Sequence, residues 1–74
     1  MRLSNLVFKY TANVSEIHRI PCGIDDAVVV VGDPENAAYE WVIERIGVGV
    51  LEHSDDAFGS PESALRAGLN KYLG

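Results

Sequence analysis

The chain has 74 residues, which allows one domain with a modest core and no more. Apolar residues make up 47% and charged residues 23%, values typical of a folded domain that argue against disorder. No stretch reaches the roughly 18 apolar residues of a membrane-spanning helix. We therefore expect a single folded domain over residues 1–74.

The cysteine content points to a reducing compartment. Cys22 is the single cysteine, so no internal disulfide is possible. Lys9 interrupts the short apolar run near the start of the chain, and we expect no signal peptide. Both features predict a cytoplasmic protein.

The net charge of −5 is concentrated in the middle of the chain. Residues 20–62 contain ten acidic side chains and one basic side chain, Arg45. Nucleic-acid binders and proteins that attach to anionic membranes need clustered cations, so the charge argues against both classes. A basic or neutral protein partner fits better, and an acidic surface also keeps a small protein soluble.

The first half of the chain predicts strands. Residues 3–10 are rich in β-formers, and residues 14–20 are also assigned to a strand, although their apolar spacing of three fits a helical turn as well. Residues 28–31 are four consecutive valines, which indicate a short strand covered on both faces. We expect a break at residues 21–23 and a type I turn at Asp33-Pro34.

Residues 38–53 predict a β-hairpin. Between residues 38 and 46 apolar and polar residues alternate, with Tyr39, Trp41 and Ile43 on one face. The opposite face carries Val42 between two glutamates. Two glycines at residues 47–49 supply the turn, and residues 50–53 return as the second strand.

The last segment predicts a helix that packs on the sheet. Ser60 is a favourable N-cap and Pro61 suits the first helical position. Apolar residues recur every three or four positions up to Leu73, and Gly74 is a favourable end. Gly68 lies within this stripe, where glycine costs about 1 kcal/mol relative to alanine, so we expect close approach of the helix to the sheet.

These elements predict an α+β fold: a small, mostly antiparallel sheet of three to five strands with the C-terminal α-helix packed on one face. The predicted core consists of the larger apolar side chains of the hairpin and the helix. They are Tyr39, Trp41, Ile43, Leu51, Leu65, Leu69 and Leu73.

Residues 38–73 combine an alternating strand at 39–43, a second strand ending in serine at 49–54, and a Phe-Gly-Ser loop leading into an alanine-containing helix at 58–65. In these features the segment resembles the YegP-like group of small bacterial proteins and similar phage-borne proteins of uncharacterised role. That group often carries the unit twice and has Asn-Gly in the turn, whereas this chain has one copy without Asn-Gly. The resemblance implies a small sheet covered by a helix, and it implies no catalytic residue.

Three residues have the side chains for nucleophilic catalysis or zinc binding. Cys22 needs a neighbouring base to form thiolate, and His18 and His53 are candidates by type. The same three side chains would make an open zinc site. No family signature surrounds them, so a structural role is the simpler interpretation and we predict no catalytic residue, no metal and no cofactor.

Two further groups are weighed as binding sites. Asp25-Asp26 and Asp55-Asp56 lack the alternating oxygen ligands of a calcium loop, and aspartate is common in turns. Trp41 with Tyr39 would suit a ligand platform or a partner hot spot, but an aromatic strand face is more often core.

Three functions remain open at this point. The first is a non-enzymatic protein-interaction module, acting through an acidic surface or an exposed sheet edge and possible also as a homodimer. The second is a nucleic-acid-linked role, either as an acidic competitor for a basic partner or through an RNA-binding-like sheet. The third is a small enzyme using Cys22, a histidine and an acid in one pocket.

Overall fold

The computed structural model describes residues 15–74, so the predicted strand at residues 3–10 lies outside the described residues. The elements in chain order are four strands, a 3-10 turn and one helix. They are β1 (Ser15–Cys22), β2 (Asp26–Asp33), the 3-10 turn (Pro34–Asn36), β3 (Ala38–Arg45), β4 (Gly49–His53) and α1 (Pro61–Leu73).

The four strands form one antiparallel sheet in the order β1-β2-β3-β4, so each strand pairs with its neighbour in sequence. Helix α1 packs on one face, against β3 and β2 above all. The predicted α+β fold is therefore confirmed. Within residues 15–74, no helix has the length and apolar character that crossing a bilayer requires.

The valine run of β2 lies at the centre of the protein. Val28, Val29, Val30 and Val31 are all fully buried, as expected for a strand covered on both faces. Antiparallel neighbours on both sides satisfy the backbone of β2, which suits the β-branched side chains of a central strand. The prediction for residues 28–31 is confirmed.

Strand β1 extends further than the sequence predicts. Residues 15–20 are strand as expected, but Pro21 and Cys22 also pair with β2. The break therefore begins at Gly23 and not at Pro21. Within residues 15–74, β1 lies at an edge of the sheet. Pro21 is tolerated there because a residue of an edge strand can have its N–H on the outer side, where no strand accepts a hydrogen bond from it.

A capped 3-10 turn connects β2 to β3 where a type I turn is predicted. The Asp33 carboxylate accepts a hydrogen bond from the Glu35 N–H at 3.1 Å and another from the Asn36 amide. Pro34 begins the turn, and Ala37 ends it in a left-handed conformation with φ of 50°.

The β3–β4 hairpin is confirmed, with one irregularity. Ile43 pairs with Glu52 and Glu44 with Val50, so Leu51 is an extra residue in a β-bulge. The bulge moves Leu51 out of regular alternation, and its side chain is 39% exposed. The prediction that Leu51 belongs to the core is therefore wrong.

Helix α1 begins and ends as the sequence predicts. The Ser60 hydroxyl accepts a hydrogen bond from the Ser63 N–H at 3.2 Å, and Pro61 occupies the first turn. At the other end the Gly74 N–H donates to the Asn70 carbonyl, with a φ of 107° that favours glycine.

The helix-covered face holds the first core cluster. Val28, Trp41 and Ile43 are buried there, with half-buried side chains of the helix and of neighbouring elements packed against them. Gly68 allows the approach: a Cβ at this position would lie 2.8 Å from Val28 Cγ1 and 3.0 Å from the Trp41 Cβ. The predicted close contact at Gly68 is confirmed.

The remaining core predictions have mixed outcomes. Tyr39, Leu65 and Leu69 are half-buried, whereas Leu73 is 80% exposed because it lies in the final turn of the helix, so its assignment to the core is wrong. Val42, placed by alternation on the polar face, is fully buried. It joins Ala27, Val29 and Val31 in a second cluster on the face opposite α1.

Candidate functional site

The β1–β2 and β3–β4 turns lie side by side at one end of the sheet. The Ile46 N–H donates to the Asp25 carbonyl at 2.8 Å, which ties the two turns together. Each turn presents aliphatic side chains: Ile24 in the first, Ile46 and Val48 in the second. We call these three residues the apolar tip.

The side chains of the apolar tip are mostly exposed to water. Ile24 is 96% exposed, Ile46 77% and Val48 67%. Single exposed aliphatic residues are ordinary on protein surfaces, but a contiguous group is typical of an interaction surface. Val50, 39% exposed, follows in β4.

A depression of about 640 Å³ lies beside the apolar tip and is lined by all three of its residues. Pro21, Ala27 and Glu44 also line it, and the strand register places them on the face opposite α1. The volume falls within the roughly 300–1,000 Å³ range of pockets that take small ligands or side chains.

An ion pair on the helix side fixes the ends of β2 and β3. Arg45 donates to both carboxylate oxygens of Asp26, at 2.8 and 3.2 Å, and the Tyr72 hydroxyl donates to Asp26 at 3.1 Å. The Arg45 guanidinium therefore holds the pKa of Asp26 below its ordinary value, and the Tyr72 hydrogen bond adds to the effect. The same hydrogen bond to Asp26 raises the pKa of Tyr72.

A second set of ion pairs crosses the opposite face. Arg19 Nη2 lies 2.9 Å from Glu16 and 3.0 Å from Glu44, and Arg19 Nε also donates to Glu16. The hydrogen bonds from Arg19 lower the pKa of Glu16. Because β2 separates β1 from β3, the Arg19–Glu44 pair spans the width of the buried central strand.

Further along the same face, Glu40 is only partly compensated. Its Oε1 atom is buried, and no residue from 15 to 74 gives it a hydrogen bond. Burial raises the pKa of Glu40, and the charge of nearby His53 opposes that shift. His53 Nδ1 lies 3.1 Å from the Ser54 carbonyl, an arrangement in which a protonated Nδ1 donates.

The structure does not bring Cys22 together with either histidine. His18 and Cys22 lie four positions apart on one strand, a separation of about 13 Å at 3.3 Å per residue. His53 lies on β4, three strand spacings or about 14 Å from β1. Cys22 is half-buried, with its sulfur 3.5 Å from the Ile20 carbonyl oxygen. The Tyr72 hydroxyl oxygen lies 3.5 Å from the Cys22 carbonyl oxygen.

The two aspartate pairs also lie apart. Asp25 and Asp26 lie at the end of the sheet that carries the apolar tip, and Asp55 and Asp56 follow β4 at the other end. Among the described residues, no three histidine, cysteine or acidic side chains are grouped closely enough to hold a metal ion.

The aromatic pair is not an open platform. Trp41 is 7% exposed and packs against the helix side, and Tyr39 is half-buried in an isolated bridge with Phe58. The Trp41 N–H donates to the Ser54 hydroxyl at 3.2 Å, and the Ser54 N–H donates to the Trp41 carbonyl at 2.9 Å. These contacts give Trp41 a structural role in the core.

The sequence analysis missed the apolar tip. Its signal was present: isoleucine and valine occupy turn positions at residues 23–25 and 46–48, where polar residues are usual. What the sequence alone does not reveal is that the two turns meet, because this depends on the order of the strands in the sheet.

No protein-family model, curated protein or solved structure matches this chain. The resemblance of residues 38–73 to the YegP-like group stays a prediction.

Proposed function

We propose that this chain is a small, non-enzymatic module that binds another protein through the apolar tip. The observation that carries the proposal is the exposure of Ile24, Ile46 and Val48, three aliphatic residues that line one depression. Exposed aliphatic groups of this kind lower the free energy of a complex when a partner covers them, by roughly 25 cal/mol per Å² of apolar surface removed from water.

The rigidity of the tip supports this assignment. The Ile46–Asp25 hydrogen bond joins the turns, and the Arg45–Asp26 ion pair ties the strands that lead into them. A preorganised surface loses less conformational entropy on binding than a flexible loop does. The backbone that carries the apolar side chains is therefore fixed before a partner binds.

The RNA-binding-like sheet is less well supported. In the described part of the chain, the aromatic side chains lie in or beside the helix-covered core, where bases have no access; they are Tyr39, Trp41, Phe58 and Tyr72. Arg19, on the open face, is already paired with two glutamates. Single-strand binding depends on exposed aromatic faces and available cations.

The enzyme alternative is also less well supported, because its three candidate side chains lie more than about 10 Å apart by strand geometry. A nucleophile and its base must lie within hydrogen-bond distance, roughly 3 Å. Cys22 instead packs at the edge of the helix-side core.

Site-specific photo-crosslinking tests the proposed function. A photoreactive side chain at position 46 is compared with one at Glu35, which is exposed in the 3-10 turn at the opposite end of the sheet. We expect a discrete protein adduct from position 46 alone. The adduct partner, once purified, binds the chain at least about tenfold more weakly when Ile24 and Val48 are replaced by serine.

Two outcomes would contradict the proposal. Equal yields from positions 46 and 35 would mean that the tip is not a preferred contact. An unchanged affinity in the Ile24→Ser, Val48→Ser variant, with its fold intact by circular dichroism, would remove the tip from the interface.

A further inference from the structure

The charges around the depression are not balanced. Five charged residues line it, three acidic and two basic: Arg19, Asp25, Asp26, Glu44 and Arg45. Both cations are already engaged, Arg45 with Asp26 and Arg19 with Glu16 and Glu44. Within residues 15–74, no salt bridge reaches Asp25, whose residue lies between Ile24 and the start of β2.

The two cations of the depression are compensated within the protein. Arg19 and Arg45 direct Nε and Nη2 towards the protein's own carboxylates, so Asp25 remains as the excess charge of the lining. Carboxylate oxygens accept more than one hydrogen bond, and the acids lining the depression therefore keep capacity for an incoming donor. The depression favours a cation over an anion.

A second copy of the chain is a poor occupant. Each copy carries a net charge of −5 and would bring its own acidic excess to the same surface. Like charges across an interface weaken association and slow encounter. The same argument disfavours an anionic membrane surface.

We propose that the apolar tip takes a cationic segment of a protein, in which one or two apolar side chains seat in the depression and flanking lysine or arginine side chains face Asp25 and Glu44. This inference rests on the proposed function and adds the chemistry of the partner. The apolar anchor supplies affinity through desolvation, and the flanking cations supply attraction that decreases as salt is added.

The test uses three short fluorescein-labelled peptides and fluorescence anisotropy. The first carries a leucine pair flanked by lysines on both sides; the second replaces lysine by glutamate; the third replaces leucine by serine. We expect the leucine–lysine peptide to bind the full chain at least about tenfold more tightly than either of the others, and to weaken with salt.

Matched variants locate the binding. Replacing Ile46 and Val48 by serine should weaken the leucine–lysine peptide at least about tenfold, and Asp25→Asn should weaken it about threefold. Glu35→Gln removes one negative charge at the far end of the sheet, so it should leave the affinity unchanged. This variant separates a local effect from the effect of net charge.

Several results would overturn the inference. Equal binding of the leucine–glutamate peptide would show that the charge of the peptide does not contribute to binding. Equal binding of the serine–lysine peptide would show that the apolar anchor does not contribute. A dimer in light scattering that the Ile46→Ser, Val48→Ser variant dissociates would assign the tip to a second copy, and tip-dependent binding to vesicles would assign it to lipid. If these peptide tests fail while crosslinking from position 46 still yields a protein adduct, the proposed function stands without this partner chemistry.

Discussion

Aliphatic side chains occupy two contrasting regions of this sheet. On the helix-covered face, Val28 and Ile43 are at most 4% exposed, whereas Ile24 and Ile46 at the apolar tip are 96% and 77% exposed. The same residue types therefore stabilise the fold in one region and leave an uncovered surface in the other. The difference follows from what covers each region: α1 lies over β2 and β3, and no element among residues 15–74 lies over the tip.

One of the two largest expected effects is at the helix contact. Gly68→Ala would place a Cβ within 3.0 Å of Val28 and Trp41, atoms that are themselves buried. Overpacking of this kind costs about 1–3 kcal/mol, more than the about 1 kcal/mol that alanine adds to helix propensity. We expect a lower free energy of unfolding in urea titration.

Asn70→Ala is the matched control for Gly68, because residue 70 is an exposed position of the same helix. It should gain helix propensity without the clash. If Gly68→Ala were as stable as Asn70→Ala, the close approach of α1 to the sheet would be contradicted.

The next effect concerns the hydrogen bonds that close the hairpin end. Ser54→Ala leaves the Trp41 N–H without its acceptor in a buried position. An unsatisfied buried donor costs about 1–3 kcal/mol. The free energy of unfolding should fall by that amount, whereas Ser15→Ala at the exposed start of β1 should change it by less than about 0.5 kcal/mol.

A smaller effect with the opposite sign is expected at Glu40. Burial raises the pKa of Glu40 in the folded protein above its ordinary value of 4.5, so folding favours the protonated carboxyl. The stability that the protonated form contributes is present below pH 4.5 and is lost as the pH rises through the folded-state value. Ionised Glu40 therefore destabilises the protein at neutral pH.

Glu40→Gln should accordingly stabilise the protein at pH 7, with the gain vanishing in acid. Thermal unfolding across the acid-to-neutral range measures this. Glu35→Gln, at an exposed position, should show no such trend. A gain that persisted or grew in acid would contradict the assignment of the effect to the charge.

The smallest stability change is expected at the apolar tip. Ile46→Ser with Val48→Ser removes side chains that are mostly in water, so the free energy of unfolding should change by no more than about 0.5 kcal/mol for each. Urea unfolding of this variant beside Gly68→Ala compares the two regions directly. A loss as large as that of Gly68→Ala would mean that the tip is a part of the core.

Local chemistry made several elements predictable. Ser60 and Pro61 define the start of α1, and Asp33-Pro34 defines the turn after β2, because side-chain caps and the fixed φ of proline act within a few residues. The valine run indicated a central strand because β-branched residues suit a position buried on both faces.

Predictions failed where distant residues decide the outcome. Val42 alternates with glutamates, yet it is fully buried and forms a cluster with Val29 of the neighbouring strand on the same face. Leu51 is displaced by a bulge, which forms where β4 pairs with β3. Leu73 follows the apolar stripe, but it lies in the last turn of α1 and stays exposed.

For this protein, then, the sequence by itself determined the hairpin, the valine strand, the capped helix and the acidic charge, since these depend on neighbours in the chain. Only the tertiary structure decided which apolar side chains are buried and which are left in water. The order of the strands brings the turn at Ile24 beside the turn at Ile46, and the packing of α1 on β2 and β3 leaves both uncovered. The candidate site thus arises from contacts between residues about twenty positions apart.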